Sequence, residues 1–311
     1  MRFLLIDTGN SRVKWRILDP RLDWPQDEGL EDTNGTGEHS VTALSSHERG
    51  SLSLVELPLL AQRFGAMRES ALDAVHLSNV AGTEAEGAVR RAVGAAWGDV
   101  PVHALIPKAV QCGVRNGYRD QTQLGPDRWA ALLGAHALLP DRHVLVCSFG
   151  TATTIDLLLH EVDSVAPEAT RSSFVGGLIL PGFEAMRRSL ARDTARLPLA
   201  QGDVVDFAVG TDDAIASGIA AAQTGAVMRA LHDARVRAAD TDRKWGTQRP
   251  VACVLAGGGA NTMAQYLSDP KASMHIVPDL VLRGLHAVAC ASRGNDDTPR
   301  LHPHKLAREH R

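Results

Sequence analysis

The hydrophobic pattern predicts an antiparallel pair of strands at the start of the chain. Residues 3–7 (FLLID) form a short apolar run that ends in an acid, and a second strand-like run follows at 12–18 (RVKWRIL). Between them, residues 8–11 (TGNS) have the composition of a tight turn, since glycine and small polar residues adopt the backbone angles that turns require. The pattern therefore predicts a hairpin with Asp7 at the end of a buried strand.

Alternating strands and helices follow this hairpin. Residues 72–80 (LDAVHLSNV) and 101–107 (PVHALIP) predict strands, and the Ala- and Arg-rich residues 84–97 predict a helix between them. Residues 125–140 (GPDRWAALLGAHALLP) predict a further helix, with one proline near its first position and another at its end. Such alternation is typical of an α/β fold. By contrast, 19–40 is rich in Pro, Gly and acids without periodicity, which predicts a flexible excursion between strands.

The second half of the chain begins like the first. Residues 143–159 (HVLVCSFGTATTIDLLL) again read as apolar strand, small polar turn and second strand. An offset of 141 residues aligns four pairs of positions: Asp7 with Ser148, Gly9 with Gly150, Asn10 with Thr151 and Ser11 with Ala152. Because the match stands at the head of each half, it favours an internal duplication. The expected organisation is two domains, 1–140 and 141–292, followed by a flexible polar tail at 293–311.

Composition narrows the class of protein. The chain has 311 residues, 44% of them hydrophobic, which fits about two globular domains. A net charge of −3 gives no general attraction to nucleic acid or anionic membrane, and no segment approaches the ~18 apolar residues of a membrane span. Four scattered cysteines, without CxxC spacing, are typical of reduced thiols. We therefore expect a cytoplasmic protein that binds neither nucleic acid nor membrane.

The glycine-containing turns are candidates for phosphate binding, because such turns expose backbone N–H groups to an anion. At the first turn, Asp7 is placed to hold Mg²⁺ directly or through its waters, Asn10 and Ser11 offer hydrogen-bond donors, and Lys14 supplies positive charge. The alternative is a hairpin whose aspartate caps its own turn, and the first turn alone favours that alternative. The second turn changes the balance, since two facing hairpins can clamp one triphosphate.

A third glycine-rich element lies late in the chain. Residues 251–261 (VACVLAGGGAN) form an apolar strand that ends in three glycines. These glycines either let the backbone lie flat against adenine or ribose, or simply make a tight strand-to-helix turn. Neither GxxxxGK[ST] nor a strand–GxGxxG–helix occurs, so a P-loop or Rossmann nucleotide site is disfavoured.

The start of the 125–140 helix carries candidate substrate chemistry. The helix dipole stabilises an ionised carboxylate at Asp127, which would keep it available as a proton acceptor. Its neighbour Arg128 has the geometry for bidentate contact with a substrate carboxylate. The alternative is that Asp127 only favours helix initiation and that Arg128 lies on a solvated face.

Taken together, these features resemble the type III pantothenate kinase family, within the actin-like ATPase and sugar kinase superfamily. The resemblance covers roughly residues 1–18 and 70–290. The motifs that carry it are DTGNSRVKW (7–15), LGPDR (124–128), FGTATTID (149–156), GGLILPG (176–182), DTARLP (193–198), GTDDAIASGI (210–219) and LAGGGA (255–260).

The resemblance implies a fold, an activity and partners. The fold would be a duplicated actin-like, ribonuclease H-like α/β fold whose two mixed-sheet domains flank a nucleotide cleft. The activity would be ATP-dependent phosphorylation of the primary hydroxyl of pantothenate, the first committed step toward coenzyme A. The family further implies a homodimer, Mg²⁺, and a monovalent cation, K⁺ or NH₄⁺.

The resemblance also implies residue roles, with Asp127 as the general base and Asp7 as the Mg²⁺ position. The first phosphate loop would be Asp7, Thr8, Gly9, Asn10, Ser11, Arg12, Val13 and Lys14, with Thr151 contacting ATP from the second loop. The pantothenate contacts would be Tyr118, Gly125, Pro126, Asp127, Arg128 and Thr194.

One position departs from the family pattern. The second loop usually carries an acid, as in Asp-x-Gly-Thr-Ala, that helps to bind the monovalent cation, and here Ser148 stands in its place. A hydroxyl coordinates such a cation more weakly. Two other functions therefore stay open: another small-molecule kinase of the superfamily, or a nucleotide-binding accessory or regulatory protein.

Small residues recur along the helix predicted at 211–232, among them Ala214, Gly218, Ala222 and Gly225. This spacing permits close approach of another helix. It fits either internal packing or a subunit interface, and the sequence does not choose between them.

Overall fold

The structure is a computed structural model that describes residues 2–19, 24, 31–32, 49–161, 171–267, 269 and 272–292. Within these residues the strands are β1 (Phe3–Thr8), β2 (Arg12–Leu18), β3 (Glu31–Asp32), β4 (Arg49–Ser53), β5 (Ala74–Asn79), β6 (Val102–Ala104), β7 (Val110–Gln111), β8 (Val114–Asn116), β9 (His143–Phe149), β10 (Ala152–Glu161), β11 (Arg171–Pro181), β12 (Val251–Ala256) and β13 (Ser273–Ile276). The α-helices are α1 (Leu60–Gly65), α2 (Thr83–Trp97), α3 (Pro126–Leu138), α4 (Phe183–Asp193), α5 (Thr211–Trp245), α6 (Ala260–Ala264) and α7 (Leu280–Ala291).

Two mixed sheets repeat the same strand order. The smaller sheet runs β4-β2-β1-β5-β6, and the larger runs β3-β13-β12-β9-β10-β11-β8-β7. In each, a central strand, β1 or β9, pairs antiparallel with the strand that follows it and parallel with a later strand, β5 or β12. The segment β11-β10-β9-β12-β13 therefore matches β4-β2-β1-β5-β6. This repeated ribonuclease H-like order confirms the duplicated actin-like fold.

Helices α3 and α7 pack between the two sheets. One face of β1, through Phe3 and Leu5, contributes to the same buried cluster as Trp129 of α3, Leu285 of α7 and Val146 of β9. The other face of the smaller sheet is covered by α1 and α2, and the other face of the larger sheet by α5 and α6. Both central strands are thus buried on both faces, which is why their sequences are continuous apolar runs.

Most predicted elements are confirmed, with differences in length. The strand predicted at 101–107 is ordered as a strand only over Val102–Ala104. The helix predicted at 211–232 continues to Trp245, because Ala234 and Ala238 keep an apolar stripe against the larger sheet. It ends at Gly246, whose φ of +66° belongs to the left-handed region that favours glycine.

The chain passes between the sheets more than once. Strands β7 and β8 lie before residue 140, but they join the larger sheet through the parallel pairing of β8 with β11. Strand β3, from the 19–40 excursion, also pairs with β13 of the larger sheet. A domain boundary at residue 140 stays a prediction.

Part of the 19–40 excursion is built into the fold. Trp24 is buried in the cluster between the sheets, where the guanidinium groups of Arg16 and Arg283 lie 4.8 and 4.7 Å from its ring centre. The rest of the excursion, apart from Asp19 and β3, lies outside the described residues, as does the predicted tail at 293–311. Among the helices that are described, none has the length and apolar character needed to cross a membrane.

Candidate active site

The two predicted turns face each other across the space between the halves. In the first, Gly9 N donates to Arg12 O at 3.0 Å, and in the second Gly150 N donates to Ala152 O at 3.0 Å. The second turn is therefore one residue shorter. The hydroxyls of Ser11 and Thr151, one from each turn, lie 2.7 Å apart. The tips of the repeated hairpins thus meet in space, although 140 residues separate them in sequence.

The glycine run after β12 packs against Phe149, the residue that precedes the second turn. Gly257 has a φ of +87°, and a Cβ there would overlap the backbone of Phe149, the last residue of β9. Gly259 N donates to Phe149 O at 3.0 Å and caps α6. Close packing against the backbone of Phe149 accounts for these glycines. This supports the interpretation that they form a tight turn between β12 and α6. Contact with adenosine stays a prediction.

Asp7 occupies an unusual environment at the end of β1. Its Oδ1 is buried and has no hydrogen-bond partner within the described part of the chain. The pKa of Asp7 is raised to about 7, chiefly because the group is removed from water and also because the carboxylates of Asp127 and Asp279 are near; the ammonium group of Lys14 opposes this rise. A buried carboxylate oxygen without a protein partner fits a hydrated Mg²⁺, which takes one or two carboxylates and fills its other positions with water and phosphate oxygens.

Lys14 lies opposite Asp7 in the β1–β2 pairing and contacts the other half of the molecule. Its Nζ is 2.8 Å from Asp279 Oδ1. Asp279 precedes α7 and has a φ of +53°, which is uncommon for a residue other than glycine. No sequence pattern singled out Asp279, because an aspartate directly before a helix is also typical of an ordinary helix cap.

Asp127 lies in the first turn of α3, as predicted. Gly125 precedes the helix and Pro126 is its first residue. Arg128 N donates to Asp127 Oδ1 at 2.8 Å. Burial raises the pKa of Asp127 despite this hydrogen bond, so the net direction is opposite to that expected from the helix dipole alone. A Cβ at Gly125 would come within 2.7 Å of Asp127 Oδ1, so glycine leaves room for the carboxyl group.

Arg128 is buried, not solvated, and it is held by two other residues. Its Nε donates to Asp156 Oδ2 at 3.1 Å and its Nη2 to Asp156 Oδ1 at 2.5 Å. Its Nη1 donates to the Tyr118 hydroxyl at 2.7 Å. Asp156 was missed by the sequence analysis, although it is the last residue of the quoted FGTATTID motif.

Thr194 and Ser148 take no part in the hydrogen bonds that join Arg128, Asp156 and Tyr118. Thr194 is exposed after the end of α4, and its hydroxyl bonds within its own segment, donating to Leu190 O and accepting from Leu197 N. Ser148 is half-buried on β9, with Thr154 and Ala256 as its neighbours on the adjacent strands.

The surroundings of Ser148 do not fit a carboxylate-based cation site. Neither neighbouring position carries an acid, and the described residues contain no group of three or more His, Cys, Asp or Glu side chains that could hold a metal ion. On the two adjacent strands, the register partners of Ser148 are Thr154, which offers a hydroxyl, and Ala256, which offers no side-chain ligand.

This arrangement defines the class of protein. Transfer of a γ-phosphoryl group to an alcohol needs donors for the phosphate oxygens, a metal position and one base, with little covalent chemistry from the protein. The two turns that meet at Ser11 and Thr151, with the part-buried carboxyl groups of Asp7 and Asp127 nearby, fit these requirements and are typical of an actin-like small-molecule kinase.

The chain belongs to the type III pantothenate kinase family, whose model matches residues 3–233. It is 38% identical over 289 residues to the type III pantothenate kinase of Herminiimonas arsenicoxydans, covering 92% of this chain and 96% of that protein. It is 39% identical over 291 residues to that of Janthinobacterium sp. (strain Marseille), with the same coverage. A more distant likeness, at 12% identity and a TM-score of 0.43, is to MreB 5 of Spiroplasma citri bound to AMPPNP, covering 93% of this chain and 95% of that one.

Family membership decides the activity. The protein uses ATP to phosphorylate pantothenate, the step that begins coenzyme A biosynthesis. The alternative of an accessory protein without turnover is not favoured.

Proposed function

We propose that Asp127 is the general base that removes the proton from the pantothenate hydroxyl. The observation that carries this proposal is the burial of its carboxyl group at the start of α3, which raises its pKa toward the range where a carboxylate accepts a proton effectively. Gly125 leaves room beside the carboxyl group. The Arg128 N–H keeps it oriented.

The two turns would bind the triphosphate. The 2.7 Å approach of Ser11 and Thr151 supports a shared role, because hydroxyls this close can donate to neighbouring oxygens of one phosphate chain. Backbone N–H groups at the tip of the first turn, at Asn10 and Ser11, would add further donors, since Gly9 N already donates to Arg12 O. The Val13 side chain is buried in the core and would not reach the phosphates. Arg12 Nε donates to Ser51 Oγ, which leaves the two Nη groups of this exposed side chain as candidate phosphate donors.

Mg²⁺ would be held at Asp7, where it would supply positive charge to the transferring phosphoryl group. The Oδ1 of Asp7, which has no hydrogen-bond partner in the part of the chain that the structure describes, supports this assignment. Lys14, across the strand pair from Asp7, would add a second positive charge near the phosphates.

Pantothenate would lie with its hydroxyl near Asp127 and its carboxylate near Arg128 and Tyr118. The hydrogen bond from Arg128 Nη1 to the Tyr118 hydroxyl joins these two residues on one side of Asp127. Gly125 and Pro126 would line this side through the turn that starts α3. Thr194 would complete the substrate contacts from the segment that follows α4.

Binding of a monovalent cation at Ser148 has less support than binding of Mg²⁺ at Asp7. Because the position of Ser148 lacks a carboxylate, we expect only hydroxyl coordination and a low affinity for K⁺ or NH₄⁺ there. No step of the mechanism is assigned to this ion.

We also propose that the protein is a homodimer in the cytoplasm, where ATP is available. Large apolar side chains are exposed on the segment before α5 and on β11: Leu178, Ile179, Leu199, Val205, Phe207 and Val209. A groove of about 520 Å³ between α4 and α5 lies near them, lined by Met186, Leu190, Leu197, Ile215 and Gly218 among others. Exposed apolar surface of this kind is typical of a protein interface.

The role of Asp127 is tested by Asp127→Asn. ADP release is measured with ATP alone and with added pantothenate. We expect kcat to fall by ~10²–10⁴-fold, the usual contribution of a general base, with little change in the KM for ATP. The matched control is Asp141→Asn, an exposed acid beyond the other end of α3. If only the KM for pantothenate changes, Asp127 binds substrate and is not the base.

A further inference from the structure

The hydrogen bonds of Arg128 account for most of its donors. A guanidinium group has five N–H donors in a fixed plane. Two of them, on Nε and Nη2, are used by Asp156, and a third, on Nη1, is used by the Tyr118 hydroxyl. This leaves one donor on Nη1 and one on Nη2 for any other partner. The direction of these two remaining donors is set by the residues that hold the other three.

Asp156 is the more firmly fixed of those residues. Its side chain is only 2% exposed, on β10 in the interior of the larger sheet. Gly177 lies opposite it on β11, where a Cβ would overlap Asp156 Oδ1. The strand pair therefore leaves just enough space for this carboxylate. The rings of Tyr118 and Phe174 lie 5.5 and 5.9 Å from the guanidinium carbon of Arg128 and further limit its motion.

The pairing also changes how Arg128 can recognise an anion. Because the charge of Arg128 is already balanced by Asp156, long-range attraction gives little preference for a carboxylate. Recognition must then come from two direct hydrogen bonds of defined direction. A ligand that lacks the carboxylate would leave those two N–H groups without its acceptors, and unpaired polar groups in a buried site weaken binding.

We propose that Asp156 is a positioning residue that determines specificity for a carboxylate at the end of the substrate remote from its reacting hydroxyl. It acts through Arg128 by presenting the two remaining guanidinium donors as a pair. This inference rests on the proposed contact between Arg128 and the pantothenate carboxylate. Asp156 belongs to the larger sheet and Arg128 lies in the first turn of α3, so the specificity depends on how these two elements pack.

The test compares pantothenate with its alcohol analogue, in which a CH₂OH group replaces the carboxylate. For Asp156→Asn, we expect the KM for pantothenate to rise about 10- to 100-fold, the range of one lost buried ionic contact, with the KM for ATP unchanged. The preference for pantothenate over the alcohol, as a ratio of kcat/KM values, should fall at least about tenfold. A purely structural role would lower stability without changing this ratio.

The matched control is Asp242→Asn. Asp242 is another buried acid in a charged network, with His143, Thr247 and Arg249, and it lies at the end of α5. Its loss should lower thermal stability without altering the substrate preference. If Asp156→Asn does not fold, Asp156→Glu is used, since it keeps the charge but moves the carboxylate by one methylene group. A wild-type preference in either folded variant would overturn the inference.

Arg128→Met separates this inference from the proposal on which it rests. If Arg128→Met keeps the preference for pantothenate, Arg128 does not bind the carboxylate and the assigned contact is wrong. If Arg128→Met loses the preference while Asp156→Asn keeps it, only the role of Asp156 is wrong. In the Arg128→Met background, Asp156→Asn should produce no further change in the ratio.

Discussion

At the scale of single residues, three carboxyl groups of the site, one buried and two part-buried, have different surroundings. Asp156 is paired in both oxygens with Arg128, and Asp127 accepts a backbone N–H. Asp7 has one buried oxygen that accepts no hydrogen bond from any of the described residues. Residues of the same type thus become an anchor for a guanidinium group, a candidate base and a candidate metal position.

The environment of Asp7 predicts a pH-dependent cost in stability. The ordinary pKa of 3.8 is raised to about 7 in the folded protein, so between these values the folded state keeps a proton that the unfolded state has released. The cost is therefore small near pH 4, where both states still carry much of the proton. It grows as the pH rises, so the free energy of unfolding falls until about pH 7, where the folded state also releases the proton.

Asp7→Asn removes this cost. In the protein without nucleotide, its gain in stability over the wild type should be small near pH 4 and reach a few kcal/mol at pH 8, since one unit of pKa shift is worth ~1.4 kcal/mol. Urea unfolding at both pH values measures it, with the exposed Asp99→Asn as the control. ATP-dependent turnover of Asp7→Asn should be lost. A gain that is equal at both pH values would contradict the assigned pKa.

At the scale of elements, the position of Asp127 depends on the contact between α3 and α7. Gly134 of α3 and Gly284 of α7 lie against each other's backbone, and a Cβ at Gly284 would overlap the carbonyl oxygen of Ala130. The two helices can approach this closely only because both positions lack a side chain.

Gly284→Ala should therefore force α3 and α7 apart. We expect a loss of at least ~1–3 kcal/mol in the free energy of unfolding, as for other overpacked cores, and a lower kcat because α3 carries Asp127. The control is Gly94→Ala in α2, where a Cβ meets no atom within 4 Å and where alanine should add ~0.5–1 kcal/mol. Denaturant unfolding and turnover of both variants provide the measurement, and equal stability would contradict this packing argument.

At the scale of the whole molecule, exposed apolar surface predicts self-association. The side chains of Phe207 and Val209 are almost completely exposed, at 96% and 107% of their reference areas. Phe207→Ser should weaken the dimer, because it removes a large apolar side chain from the proposed interface. The change is measured by sedimentation velocity over a range of protein concentrations.

Val55→Ser is the control for this experiment, since Val55 is 90% exposed on the smaller-sheet half. It should leave the association unchanged. A wild-type protein that stays monomeric at high micromolar concentration would contradict the dimer proposal.

How far the sequence could predict the molecule depends on the range of the interactions involved. The hairpin strands, α2 and the start of α3 were predicted, because apolar spacing, turn residues and an N-terminal proline act locally. The extension of α5 to Trp245 and the shortness of β6 were not, because they depend on packing against distant elements. The family motifs located the turns and Asp127, but they gave no reason to single out Asp156 or Asp279.

The sequence by itself determined the α/β class, the repeat of one strand–turn–strand motif, the acid of the first turn and the glycines of both turns. Only the tertiary structure decided that Ser11 meets Thr151, that Lys14 contacts Asp279 and that Arg128 is held by Asp156. Each of these contacts joins segments between 28 and 265 residues apart. Their geometry follows from how the two sheets and the helices between them pack, which no local pattern of residues specifies.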